Sequence, residues 1–95
     1  MHKYLHDHIV EEIDGAVDYW SKAVEHKGTD MGCMFRRMAE MELEHANALT
    51  KMFTKAEKPK SVTDADYVAM YKGILDAYSE GMGKVEALKK LYWAS

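Results

Sequence analysis

The stretch Met38-Ala39-Glu40-Met41-Glu42-Leu43-Glu44-His45-Ala46-Asn47-Ala48-Leu49-Thr50-Lys51-Met52-Phe53 decides the fold. Met38, Met41, Leu49, Met52 and Phe53 return at spacings of three and four, and neither Gly nor Pro interrupts them, which is the pattern of an amphipathic helix. Set into the same stripe, one turn apart, are Glu42 and His45. A polar residue where the period asks for an apolar one is the informative observation.

Toward the N-terminus the stripe continues through Met31, Met34 and Phe35, with Arg36, Glu40, Glu44, Asn47 and Lys51 on the wet side and Arg36 and Glu40 spaced for an ion pair. Gly28 suits the position just past a helix end, and Thr29 or Asp30 can cap the next helix. The preceding helix carries Ile9, Ile13, Ala16, Val17, Trp20, Ala23 and Val24 inward, while Glu11, Asp14, Asp18, Lys22 and Glu25 lie mostly outward. Toward the C-terminus Pro59 should stop helix two, and Thr63-Asp64-Ala65-Asp66 reads as a capped start with acidic residues at the positive end of helix three. The spacing predicts helices over 4–27, 30–57 and 64–93. Helix three holds a heptad register, with Tyr71, Tyr78, Val85 and Tyr92 at one seam position and Tyr67, Ile74, Gly81 and Leu88 at the other. The phase is unchanged across Gly81-Met82-Gly83, which favours one long helix with Gly81 admitting a close neighbour. A break into two shorter helices is the alternative.

Composition supports an all-α single domain over residues 1–95: 47% hydrophobic and 31% charged residues, with one Pro and six Gly. Thirteen Lys and Arg against sixteen Asp and Glu leave a formal charge of -3, so no basic surplus neutralises a phosphate backbone and nucleic acid is a poor partner. No run approaches a signal peptide or a membrane span. Cys33 is the only cysteine, which excludes an intrachain disulfide or multi-cysteine metal site and fits a reducing cytoplasm. It reads as a small, partly buried residue.

Glu12 follows Ile9 by three and precedes Ala16 by four, so it faces inward. From Glu12 to Gly28 is about 24 Å of helix at ~1.5 Å per residue, and from Thr29 to Glu42 and His45 about 20 to 24 Å, so an antiparallel hairpin brings all three to one level. Two carboxylates and an imidazole need compensation there, and one cation serves all three. One Glu plus one Glu-x-x-His is half of the carboxylate di-iron set, in which two of each surround two metals inside a four-helix bundle. Such donors suit iron or manganese, with zinc also admitted. The plainer reading is a buried polar cluster.

Glu11-Glu12-Ile13-Asp14-Gly15-Ala16-Val17-Asp18-Tyr19-Trp20 with Met41-Glu42-Leu43-Glu44-His45-Ala46 resembles the ferritin-like superfamily, most closely the half-size encapsulated ferritins. The resemblance covers residues 11–53. It implies that a helical hairpin plus a long third helix dimerises into a ferritin-like four-helix bundle, with a di-iron ferroxidase centre between subunits. It further implies Glu12, Glu42 and His45 as catalytic metal ligands, Glu11 and Asp14 along the route of metal access, and Tyr19 as an aromatic near the metal. By periodicity alone Glu11 and Asp14 are a solvated acidic edge.

The implied activity is oxidation of Fe(II) to Fe(III) for storage, in a homo-oligomer that is a dimer or larger ring. The chain departs from the group after residue 53, and Leu91-Tyr92-Trp93-Ala94-Ser95 carries no Gly-rich targeting tail, so an encapsulin shell is implied without a visible address. Two alternatives stay open. One is a non-enzymatic helical assembly module. The other is rubrerythrin-like peroxide chemistry, for which Cys33 alone cannot build the four-cysteine iron site of the complete arrangement.

Among the remaining candidates, His2, His6 and His8 read as solvated, although His8 lies four residues before Glu12 and could reach the same site. His26 suits a helix end, the methionines suit an adaptable core, and the tyrosines of helix three suit core or interface. Asp76, Glu80 and Lys84 read as a solvated face.

Overall fold

A computed structural model describes residues 1–94; Ser95, the last residue of the tail considered above, lies outside the described residues. Three helices form, α1 (His2–Glu25), α2 (Asp30–Lys55) and α3 (Asp64–Trp93), with no strand among the described residues. None of the helices is long and apolar enough to cross a membrane.

The turns follow from local chemistry. Gly28 takes φ 84°, in the left-handed region that a glycine adopts without strain. Thr29 then closes the turn from both sides, donating from Oγ1 to the His26 carbonyl at 2.6 Å and accepting from the Gly32 amide at 3.1 Å. Thr63 caps α3 by accepting from the Asp66 amide at 3.1 Å. Helix α2 ends at Lys55, earlier than residue 57 and before Pro59 acts, because the backbone is already extended at Ala56.

Helix α1 is the central element, packed along both of its neighbours, while the α2 and α3 backbones approach each other little. It runs antiparallel to α2. Its alignment with α3 is parallel, since His2 meets Tyr67 and Trp20 meets Tyr92. Two core clusters result: Leu5, Ile9, Ile13, Ala46, Phe53 and Ile74 toward one end, Trp20, Ala23, Ala39 and Val85 toward the other. Helix α3 is continuous through Gly81-Met82-Gly83, and its heptad positions Ile74, Gly81 and Val85 are buried. The neighbour admitted by Gly81 is Ile13, whose Cγ2 occupies the space a Cβ would need.

Two expectations are corrected. Met31, Met34, Met41 and Met52 are exposed, and the residues of α2 that meet α1 are Gly32, Ala39, Ala46 and Phe53. Helix α2 therefore has two apolar faces. The small residues permit close approach to α1, and no helix among the described residues packs over the half-exposed methionine face. Likewise His2 is fully buried rather than solvated, because α1 starts two residues earlier than predicted and places it on the stripe of Leu5 and Ile9. Its ring sits edge-on to Phe53 at 5.0 Å and Tyr67 at 5.5 Å.

Candidate metal centre

Glu12 projects from α1 toward α2, where Glu42 and His45 stand one turn apart, and each of the three offers a ligand atom within 4.8 Å of the others. Glu12 is largely enclosed, its side chain 13% exposed, and its Oε2 is buried with no hydrogen-bond donor. His45 Nδ1 lies 3.8 Å from that oxygen. His8 Nε2 holds the other oxygen, Oε1, at 2.9 Å from one turn earlier on α1.

The expectation that His45 faces inward is corrected: it is 57% exposed, on the same open side of α2 as Met41 and Met52. Glu42 is half-buried at the seam with α1. Gly15 makes room for it, since a Cβ there would stand 3.0 Å from Glu42 Oε2. Periodicity did not single out Gly15. A signal existed, because a glycine inside a helix costs about 1 kcal/mol relative to alanine and so asks for a reason.

The two carboxyls electrostatically oppose each other, and the conflict is relieved when Glu42 keeps its proton. Contact with the protonated Glu42 carboxyl holds Glu12 below the usual carboxylate range, aided by His8 against the opposing effect of burial. The same contact, with burial and repulsion from Glu12, pushes Glu42 up to about 7. A carboxyl whose folded pKa is raised takes up protons on folding, so the metal-free protein should lose stability as pH rises from about 4.5 to about 7. A divalent ion arriving at this site must displace that proton. Calorimetry of Co2+ binding in buffers of different ionisation enthalpy should therefore show more protons released per copy near pH 6 than at pH 8.5. Release that does not vary with pH would contradict a protonated Glu42.

The group fits a first-row divalent metal. Donors bound to one ion at ~2.0–2.2 Å lie at most about 4.4 Å apart, so small side-chain movements close it. The donorless Oε2 of Glu12 is the atom such an ion would satisfy. Ala48, Leu49 and His8 line the shallow concavity around Glu12 and His45.

The other site residues lie apart from this group. Glu11 is exposed and shares a second concavity with Tyr4, Asp7 and His8. Asp14 is exposed in a groove between α1 and α3 beside Asp18, Glu80 and Lys84. Tyr19 stacks on Phe35, with ring centroids 6.1 Å apart. Cys33 is half-buried, with its sulfur 3.7 Å from an Arg36 Nη.

Compared with known proteins, residues 3–91 match a family model described as Rubrerythrin. No curated protein and no solved structure matches the chain.

Proposed function

We propose, from the premise that this chain belongs to the rubrerythrin family, a ferritin-like family whose domains typically bind iron, that it is a ferroxidase whose metal centre is completed by a second copy. The observation that carries this reading is an incomplete ligand set beside an uncovered apolar face. The carboxylate di-iron arrangement takes a Glu from each of two helices and a Glu-x-x-His from each of two more, and this chain offers one of each. Met31, Met34, Met41 and Met52 are exposed on the helix that carries Glu42 and His45. An apolar face of that kind is costly in water and is the expected seat of an interface. A two-fold operation through it supplies the missing ligands, because an isologous contact presents the same residues from both sides.

Fe(II) is then the substrate. Glu12 and Glu42 would hold it as anionic oxygen donors, with His45 adding a nitrogen from the open side. Glu42 gives up its proton as the cation arrives, and Gly15 leaves its carboxylate room to move. Leu49 and Ala48 limit water around Glu12, and closure of the methionine face would limit it further. When bound, a pair of irons supplies one electron each, and two electrons with two protons reduce dioxygen to hydrogen peroxide. Encapsulated storage is the part of this reading that rests on the resemblance of residues 11–53 alone.

Aerobic titration of Fe(II) into metal-free protein tests it. Oxidation should outpace buffer and saturate at about two irons per pair of copies, in a species of dimer mass or larger. Oxidation at the buffer rate contradicts the reading. An oligomer indifferent to chelator and to Glu12→Ala, with no oxidation, supports the helical assembly module instead. The family match favours a second reading, in which hydrogen peroxide accepts the two electrons at the same centre. Peroxide consumption without dioxygen distinguishes it.

A further inference from the structure

Resting on the metal-site reading above, we infer that His8 is a positioning residue of the centre, which fixes the Glu12 carboxylate so that Oε2 alone is presented to the metal. Glu12 stands between two imidazoles in unlike relations to it. His8 Nε2 is at hydrogen-bond distance, 2.9 Å from Oε1, and His45 Nδ1 is beyond it, 3.8 Å from Oε2. The first oxygen is therefore engaged, while the second is buried and without a donor. An Oε1 that accepts from an imidazole N–H has a lone pair committed and its carboxylate torsion restrained.

The placement of His8 supports this role over incidental surface pairing. It lines the same concavity as Glu12 and His45, so it belongs to the wall of the site. It also lines the neighbouring concavity with Tyr4, Asp7 and Glu11, which makes it the partition between the acidic surface and the ligand group. The Tyr4 ring meets it nearly edge-on at 5.6 Å, holding the imidazole from the side away from Glu12. Neither ring nitrogen of His8 caps a helix end or joins the core. Among the described residues its one polar contact is Glu12.

A carboxylate restrained in this way binds through one oxygen at a set angle. Released, it can chelate through both oxygens or swing out of the group, at a cost in affinity. Outer partners of metal ligands are typically worth about 10–100-fold in affinity.

Co2+ is the probe, because its visible absorption reports ligand geometry and it binds without turnover. His8→Ala should weaken Co2+ binding about tenfold or more and alter the visible bands, with stoichiometry and helical content unchanged. In His8→Gln an amide N–H can reach Glu12 from the same turn, and affinity and spectrum should return toward wild type. Wild-type affinity and spectrum in His8→Ala overturn the assignment. Loss in His8→Ala that Gln does not restore, with one fewer nitrogen donor by X-ray absorption, also overturns it, since His8 would then be a ligand itself. If wild type binds no Co2+, the metal reading fails and His8 falls with it.

Discussion

Glu42→Ala should abolish tight metal binding and reduce Fe(II) oxidation to the rate in buffer while leaving the helices intact. Glu42 is one of three donors in the group, and the loss of a ligand should exceed the roughly 10–100-fold attached to outer partners. The fold should survive because Glu42 sits at the seam between α1 and α2, outside the buried clusters. Its carboxyl is also under strain without metal. The contact with Glu12 pushes it up to about 7, so above that pH the folded protein holds two opposed carboxylates. Removing one should leave the metal-free variant at least as stable as wild type at pH 8. Metal content and oxidation rate measured on the same preparation check this, with urea denaturation for stability. Unchanged binding and turnover in Glu42→Ala would remove the basis for the centre.

The second large effect falls on the fold and should spare the site. Trp20 is 1% exposed and joins α1 to α3, edge-on to Tyr92 at 5.7 Å and clustered with Ala23, Ala39 and Val85. Trp20→Ala empties that cluster. Removal of a buried aromatic costs about 3–5 kcal/mol, a large share of the roughly 5–15 kcal/mol that holds a domain of this kind together. The indole N–H is itself buried without an acceptor, which offsets part of the loss, since the variant no longer buries that donor. An unfolding free energy in urea lowered by up to that amount is the expected result, with Co2+ affinity near wild type where the variant is still folded. The ligands lie on α1 and α2 away from the Trp20 cluster. A stable Trp20→Ala protein would show that the Trp20 cluster contributes little to the fold.

Much of the fold was legible because helix rise and capping are local properties. Thr29 and Thr63 sit where a hydroxyl can accept an orphan amide, and both do. Constant heptad phase carried α3 across two glycines, and Gly81 fits against Ile13. The common level of Glu12, Glu42 and His45 follows from counting residues on either side of a short turn. Periodicity was less informative on α2, because it reports an angle around the helix axis and not which neighbour covers that angle. Met31, Met34 and Met41 lie close enough in angle to Phe35 and Met38 that two faces read as one. The small residues Gly32, Ala39 and Ala46, which mark the close approach to α1, carry little hydrophobic weight. His2 was misread for a different reason: helix starts lack a sharp signal when no side chain caps them, and Met1 supplies none.

His45 and the methionines acquire one meaning together. An imidazole exposed among apolar side chains at the edge of the ligand group is what the proposed two-fold contact through the methionine face would enclose. The most direct measurement of that claim is anomalous diffraction at the iron edge from a crystal grown with Fe(II). The account predicts iron within bonding distance of Glu12, Glu42 and His45, at a two-fold contact that buries Met34 and Met41. Iron-loaded crystals with no anomalous peak at that group would contradict it.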